Sequence, residues 1–285
     1  MVRGGLAIVA LCLAIALISA PPQARAQGAS LEAFEGMSGT INIAGGTAHI
    51  PVMEEAAQRI MRAYPDIRIT VAGGGSGVGV QKVGEGLVDI GNTGRPLSEA
   101  EQENYALQSY AFAIDGVCVA VHPSNPEDDL TPEQVQGIFS GRITQWSELG
   151  SHEGDINLYT RDEASGTRAV FWKKLLNKGK IAGEANVVPS NGAMKVAISR
   201  DGRGIGYLSM GHVDESIKPV SLNGVAPTQQ NAVSGEYTVV RKLYMNTKGE
   251  PSPLTETFIR YIKGAECADI ISNKGFIPMA PSEGR

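Results

Sequence analysis

From Thr40 onward the chain alternates short apolar or β-branched runs with segments of helical periodicity, which predicts strands followed by helices. Ile41 to Ala44 reads as a buried strand. Pro51, at a first helical position, opens a helix to about Tyr64 that Pro65 stops. Ile67 to Ala72 is a strand with β-branched alternation, Gly73 to Gly79 a glycine-dense turn opening a helix, and Val88 to Gly91 again a strand. Ser98 caps a polar helix to about Leu107. This rhythm implies a mostly parallel sheet with helices on both faces.

Val117 to Val121 continues as a strand, and Thr131-Pro132-Glu133-Gln134 is a capping-box start for a helix ending near Phe139. Ile156 to Thr160 is a strand, and Ser165 begins a helix through about Leu176. Asn191 caps a helix to about Ser199, and Ile205 to Leu208 is a short strand. Tyr237 to Met245 is a strand, and Leu254 to Ser272 is helical with one interruption at Gly264. Linkers are expected around Asp115-Gly116 and just before Tyr237.

The first 26 residues stand apart from this pattern. Arg3, the apolar run Leu6 to Ile18 and the small residues of Ala24-Arg25-Ala26 have the layout of a secretory signal peptide, with Gln27 as the mature start. The run is shorter than the roughly 20 residues that span a bilayer, and no later stretch is apolar enough to cross one, so an exported, periplasmic protein is expected. Removing residues 1–26 takes away Arg3 and Arg25 and moves the formal charge from −5 to −7. That balance argues against nucleic acid or an anionic membrane surface as partner. It does not argue against a small buried anion, which local backbone N–H groups and one cation can hold whatever the global charge. Cys118 falls in an apolar strand pattern and Cys267 in a helical one, so two separately buried thiols are expected although export permits a disulfide.

Three segments share one physical logic: a strand ends, small residues with a hydroxyl follow, and a helix begins. They are Gly45-Gly46-Thr47-Ala48, Gly73-Gly74-Gly75-Ser76-Gly77 and Ser165-Gly166-Thr167. A helix start leaves about four N–H donors unpaired and carries about half a positive charge, and glycine lets an anion approach the backbone. Any one of the three is accounted for by ordinary capping; three after the strands of one sheet also suit an anion cage. Arg161 lies four residues before Ser165, and guanidinium presents paired donors matched to a tetrahedral oxyanion. Glu163 or Asp162 could orient it, or Arg161 could be a surface residue paired to these acids.

Other chemistries lack their motifs. There is no G-x-x-x-x-G-K-[ST] for a nucleotide P-loop, Val78 and Val80 fall where G-x-G-x-x-G needs its last glycine, and Val78 replaces the second glycine of G-x-S-x-G. His49, His122, His152 and His212 are scattered without metal-ligand spacing, so no metal site and no cofactor is expected.

Seven segments together resemble the periplasmic phosphate-binding proteins of the phosphate-specific ABC transport system. They are A-G-G-T at Ala44 to Thr47, G-G-G-S-G-V-G at Gly73 to Gly79, and V-D-I-G-N-T-G-R-P-L at Val88 to Leu97. The series continues with L-T-P-E-Q-V-Q-G-I-F-S-G-R-I-T-Q-W at Leu130 to Trp146 and R-D-E-A-S-G-T-R at Arg161 to Arg168, and ends with S-N-G-A-M at Ser190 to Met194 and G-I-G-Y-L-S at Gly204 to Ser209. The resemblance implies an α/β type II periplasmic-binding-protein fold, two α/β lobes joined by two crossover strands. Lobe 1 would comprise residues 38–114 and 241–285, and lobe 2 residues 115–240. The implied role is non-enzymatic: a monomer that captures inorganic phosphate and delivers it to a membrane permease. A binding protein for another oxyanion (sulfate, molybdate, arsenate) or a phosphate-sensing protein is the alternative.

Carried over by position, the resemblance makes Thr47 and Ser76 hydroxyl and backbone donors, helped by the N–H groups of Ala48 and Gly77. Arg161 would form the charged bond, with Glu163 orienting it, and Ser165, Gly166 and Thr167 would complete the cage. The chain departs from the family pattern at Gly94, where many members carry the aspartate that accepts the phosphate proton and so rejects sulfate. Asp115, at the first crossover, is the candidate replacement. Arg95 is either a second positive donor or a surface residue.

Overall fold

The computed structural model describes residues 29–279; the signal-peptide reading of residues 1–26 lies outside them. Twelve strands run in chain order: β1 (Gly39–Gly45), β2 (Ile67–Gly74), β3 (Ile90–Thr93), β4 (Leu107–Val121), β5 (Asp129–Leu130), β6 (Asn157–Arg161), β7 (Asn186–Val188), β8 (Gly204–Ser209), β9 (Lys218–Pro219), β10 (Ser221–Leu222), β11 (Val240–Lys248) and β12 (Ile277–Pro278). The helices between and after them are α1 (Ile50–Ala63), α2 (Ser76–Gly84), α3 (Glu99–Tyr105), α4 (Pro132–Phe139), α5 (Gly166–Lys174), α6 (Asn191–Ser199), α7 (Gln229–Ser234), α8 (Pro253–Ile262) and α9 (Ala265–Asn273).

The expected capping chemistry forms these helices locally. Ser98 with Glu101 and Thr131 with Gln134 each make a reciprocal capping box, opening α3 and α4. The helical pattern from Leu254 divides into α8 and α9, with Gly264 in an extended conformation capping the second. At α6 the cap is Ser190, whose hydroxyl accepts from the Ala193 N–H, rather than Asn191. That frees the Asn191 side chain for another use.

The main sheet runs β2-β1-β3-β11-β4-β8-β6-β7, with β9 and β12 also pairing with β4. Its ends are parallel as the alternating pattern implies, β1 with β2 and β3, and β6 with β7 and β8. The middle is antiparallel: β11 against β3 and β4, and β4 against β8. The sheet is therefore mixed. β4 is also far longer than the expected Val117 to Val121. Residues 107–116 pair with β11, and residues 117–121 pair with β8.

The apolar core divides at these central strands. One cluster gathers Ile41, Val52, Ile90, Phe112, Leu243 and Phe258 with their neighbours, and a second gathers Val117, Trp146, Phe171, Tyr207 and Val239 with theirs. Cores split when one layer cannot bury all the apolar faces of a chain this long. Here β4 and β11 pass from one core to the other. Cys118 and Cys267 are both free and buried, one in each cluster.

Candidate functional site

Where the two cores meet, three helix starts line one small, tight polar cavity. The chain leaves β1, turns through Gly46 and enters a 3-10 turn at Thr47–His49 that leads into α1. It leaves β2 through Gly75, at φ 90°, and enters α2 at Ser76. Left-handed backbone there suits glycine, and a Cβ on Gly75 would stand 2.9 Å from the Ala164 carbonyl oxygen. In the second lobe β6 ends at Arg161, and Ser165 caps α5 by accepting from the Arg168 N–H. The leading N–H groups of these starts have no carbonyl ahead of them in the helix, so each start presents donors and the positive end of its dipole.

The hydroxyls at the cavity are set as donors. Thr47 Oγ1 accepts from Asn191 N–H at 3.2 Å and from Asn191 Nδ2 at 3.0 Å. Ser76 Oγ accepts from the Gly94 N–H at 3.0 Å, and Thr167 Oγ1 from Arg241 Nη2 at 3.0 Å. A hydroxyl that already accepts has its proton left to give. Among the described residues, no aspartate or glutamate lines the cavity.

Arg161 is 2 % exposed, and its backbone N–H is held by the Tyr207 hydroxyl at 3.1 Å. Its Nε and Nη2 donate to the carbonyls of Val188 and Pro189, both at 2.9 Å, while buried Nη1 has no partner among the described residues. Burial pushes this guanidinium's pKa down and neighbouring Asp162 opposes the shift; arginine keeps its proton in proteins regardless. A fixed, desolvated cation with one face unbonded is a site for an anion. His49, which lines the same cavity, is held neutral: burial first, then Arg241, lowers its pKa to about 3.

The cavity thus brings together Thr47, Ala48, Ser76, Arg161, Ser165, Gly166 and Thr167. Four other expected residues stand elsewhere. The Gly77 N–H is spent on the Ala164 carbonyl at 2.9 Å, so it joins the lobes rather than facing the cavity. Glu163 is exposed and does not hold Arg161; neutral carbonyls do that, because the guanidinium turns inward while the acid stays in water. Arg95 pairs with Glu101 at 2.7 Å and lines a separate groove between α3 and α5. Asp115 is fully buried behind the cavity. Its Oδ1 accepts from Ser209 and its Oδ2 from Arg241, so it is occupied rather than offered to a guest.

Two residues were missed by sequence reasoning. Asn191 bridges the lobes, donating to Thr47 and Thr167 while its Oδ1 accepts from the Ser209 N–H; nothing in the sequence separated it from an ordinary cap. Arg241 lines the cavity from β11. A signal existed there: Arg241 shares strand parity with Leu243 and Met245, both fully buried, and a charge on the buried face of a strand requires a partner.

Residues 19–266 match the family model described as a PBP superfamily domain. The chain is 34% identical over 253 residues to the phosphate-binding protein PstS of Bacillus subtilis (strain 168), covering 88% of this chain and 84% of the relative. Among solved structures, a phosphate ABC transporter substrate-binding protein with bound phosphate from Clostridium perfringens superposes with a TM-score of 0.81 at 30% identity, covering 85% of this chain and 100% of that one. An ABC-type phosphate transport receptor from Vibrio cholerae superposes with a TM-score of 0.67 at 31% identity, over 83% and 99% of the two chains.

Proposed function

The chain belongs to the PBP superfamily and, within it, to the phosphate-binding proteins, and from that premise we propose that it captures inorganic phosphate between its lobes and delivers it to the permease of an ABC importer. The observation that carries the reading is Arg161 Nη1, a buried cationic donor with no partner among the described residues, on a residue that lines one cavity with hydroxyls whose oxygens already accept from the protein. Such groups match a tetrahedral oxyanion, which offers acceptors on every side.

In this reading Arg161 makes the charged bond. Thr47, Ser76, Ser165 and Thr167 give hydroxyl protons, and Ala48 and Gly166 give backbone N–H groups. The donors come from both lobes, divided as residues 38–114 with 241–285 and residues 115–240, so the guest is enclosed only when the lobes meet, and binding favours the closed form by its extra affinity for it. The guest leaves unchanged: the reading is one of binding, with no covalent step. The protein acts as an exported monomer, its signal peptide removed after Ala26. No helix among the described residues is long and apolar enough to cross a membrane, so the membrane component would be a separate permease.

Calorimetric titration of the purified chain with phosphate, sulfate and molybdate tests this. Saturable binding of one phosphate per chain, tighter than the other two anions, is the expected result. No phosphate binding would overturn the reading, and preference for sulfate or molybdate would transfer the site to that anion.

A further inference from the structure

The departure at Gly94 leaves a question that Asp115 does not answer by itself, since both of its oxygens are engaged within the protein. What occupies the space above Gly94 is Arg241. A Cβ on Gly94 would stand 2.6 Å from Arg241 Nη1 and 3.0 Å from its Cζ. A side chain at position 94 and the guanidinium at position 241 are therefore alternatives for one volume.

Arg241 is held there by the sheet. It lies directly opposite Asp115 in the antiparallel register of β11 and β4, where facing side chains are close enough to pair. Its Nε donates to Asp115 Oδ2 at 2.9 Å, and Nη2 stands 2.7 Å from the same oxygen. Asp115 is in turn fixed by the Ser209 hydroxyl at 2.8 Å. Nη2 also reaches across to Thr167 Oγ1 in the second lobe at 3.0 Å, and Nη1 reaches the Gly94 carbonyl at 3.4 Å. A guanidinium has five N–H bonds. These contacts use four and leave one on Nη1, on a side chain that is 3 % exposed and lines the cavity.

We propose that Arg241 is the second guanidinium of the oxyanion cage, and that with Asp115 as its holder it replaces at this site the acid that family members carry at the position of Gly94. It acts in two ways: it gives its remaining Nη1–H to the guest, and it occupies the Thr167 oxygen so that the Thr167 hydroxyl proton turns to the guest. Both are donor functions and so serve any acceptor-rich tetrahedral anion alike. The pair therefore strengthens oxyanion binding without reading the guest's proton. This rests on the phosphate-capture reading, and it adds that the cage has a hinge-borne member no side chain of either lobe's helix starts supplies.

The test is calorimetry with phosphate and with sulfate on the wild-type chain and on the double variant Asp115→Asn/Arg241→Met, which removes the pair without leaving a lone buried charge. Removing a hydrogen bond to a charged guest predicts about a 10- to 100-fold loss of affinity, equal for the two anions to within about threefold. If that variant does not fold by thermal melting, Arg241→Lys serves instead. It keeps the charge but not the fork, and the same uniform weakening is expected at the small end of the range. Phosphate affinity within threefold of wild type would overturn the proposal. So would loss of phosphate with sulfate retained or improved, because the pair would then be the proton reader. Failure of the wild-type chain to bind phosphate at all would instead overturn the functional reading beneath it, an outcome separable from the other two.

Discussion

The cavity has two arginines, and they are held in opposite ways. Arg161, on the second lobe's wall, is gripped by neutral carbonyls and keeps an unbonded Nη1. Arg241, on the hinge, is gripped by a carboxylate that cancels its charge. The first is an uncompensated cation waiting for a counter-ion from outside. The second is a closed pair that the fold needs whether or not a guest arrives. Burial is nearly the same at both, 2 % and 7 % exposed, so the partner and not the depth makes the difference.

The largest expected effect comes from opening the closed pair. Asp115→Ala leaves Arg241 buried without its counter-ion and should lower unfolding free energy by about 3–5 kcal/mol, read from denaturant melts without phosphate. An unchanged midpoint would mean that the two guanidiniums are held alike. Arg161→Ala should do the reverse: phosphate affinity falls by about 2–5 kcal/mol, while stability without phosphate is unchanged or rises, because a desolvated lone cation is gone. Loss of stability with affinity retained would invert the contrast.

A smaller effect separates both arginines from the histidines beside them. His49 and His212 are held neutral, chiefly by burial, with pKa values of about 3 and about 4 against an ordinary 6.5. Each takes up a proton on unfolding but not in the folded chain between its folded value and 6.5, so the stability they contribute is complete above pH 6.5 and is lost as pH falls. From pH 7 to pH 5 each should account for about 2 kcal/mol. Thermal melts across this range check it, with His49→Gln expected to flatten the slope. A slope of the opposite sign would mean that the imidazoles share the cavity's charge. The smallest effect is Glu163→Gln, which should change phosphate affinity by no more than about 0.5 kcal/mol, since carbonyls and not this exposed acid orient Arg161. A tenfold loss in titration would restore the acid to that task.

Much of this was legible in order along the chain. The cap chemistry of Ser98 and Thr131, the glycine turn before Ser76 and the hydroxyl-glycine start at Ser165 are local, and local hydrogen bonds place them whatever surrounds them. That is why the three helix starts and Arg161 could be marked before their meeting point was known. The first half of β4 was not legible, because its paired partners, β11 and β12, lie more than a hundred residues away and the strand at residues 107–116 depends on that remote pairing. The opposition of Asp115 and Arg241 depends on the same register.

The sequence alone determined most of the longer helices and strands, the residues that begin most of those helices and that one arginine stands near a hydroxyl-lined helix start, since each depends on neighbours within a few positions. Only the tertiary structure decided which donors and acceptors were already spent, as with the Gly77 N–H and the Asp115 carboxylate, and which side chains filled the space over Gly94 and between the lobes, as Arg241 and Asn191 do. Those outcomes turn on distances of a few tenths of an ångström between segments remote in the chain. No local propensity carries that information; packing does.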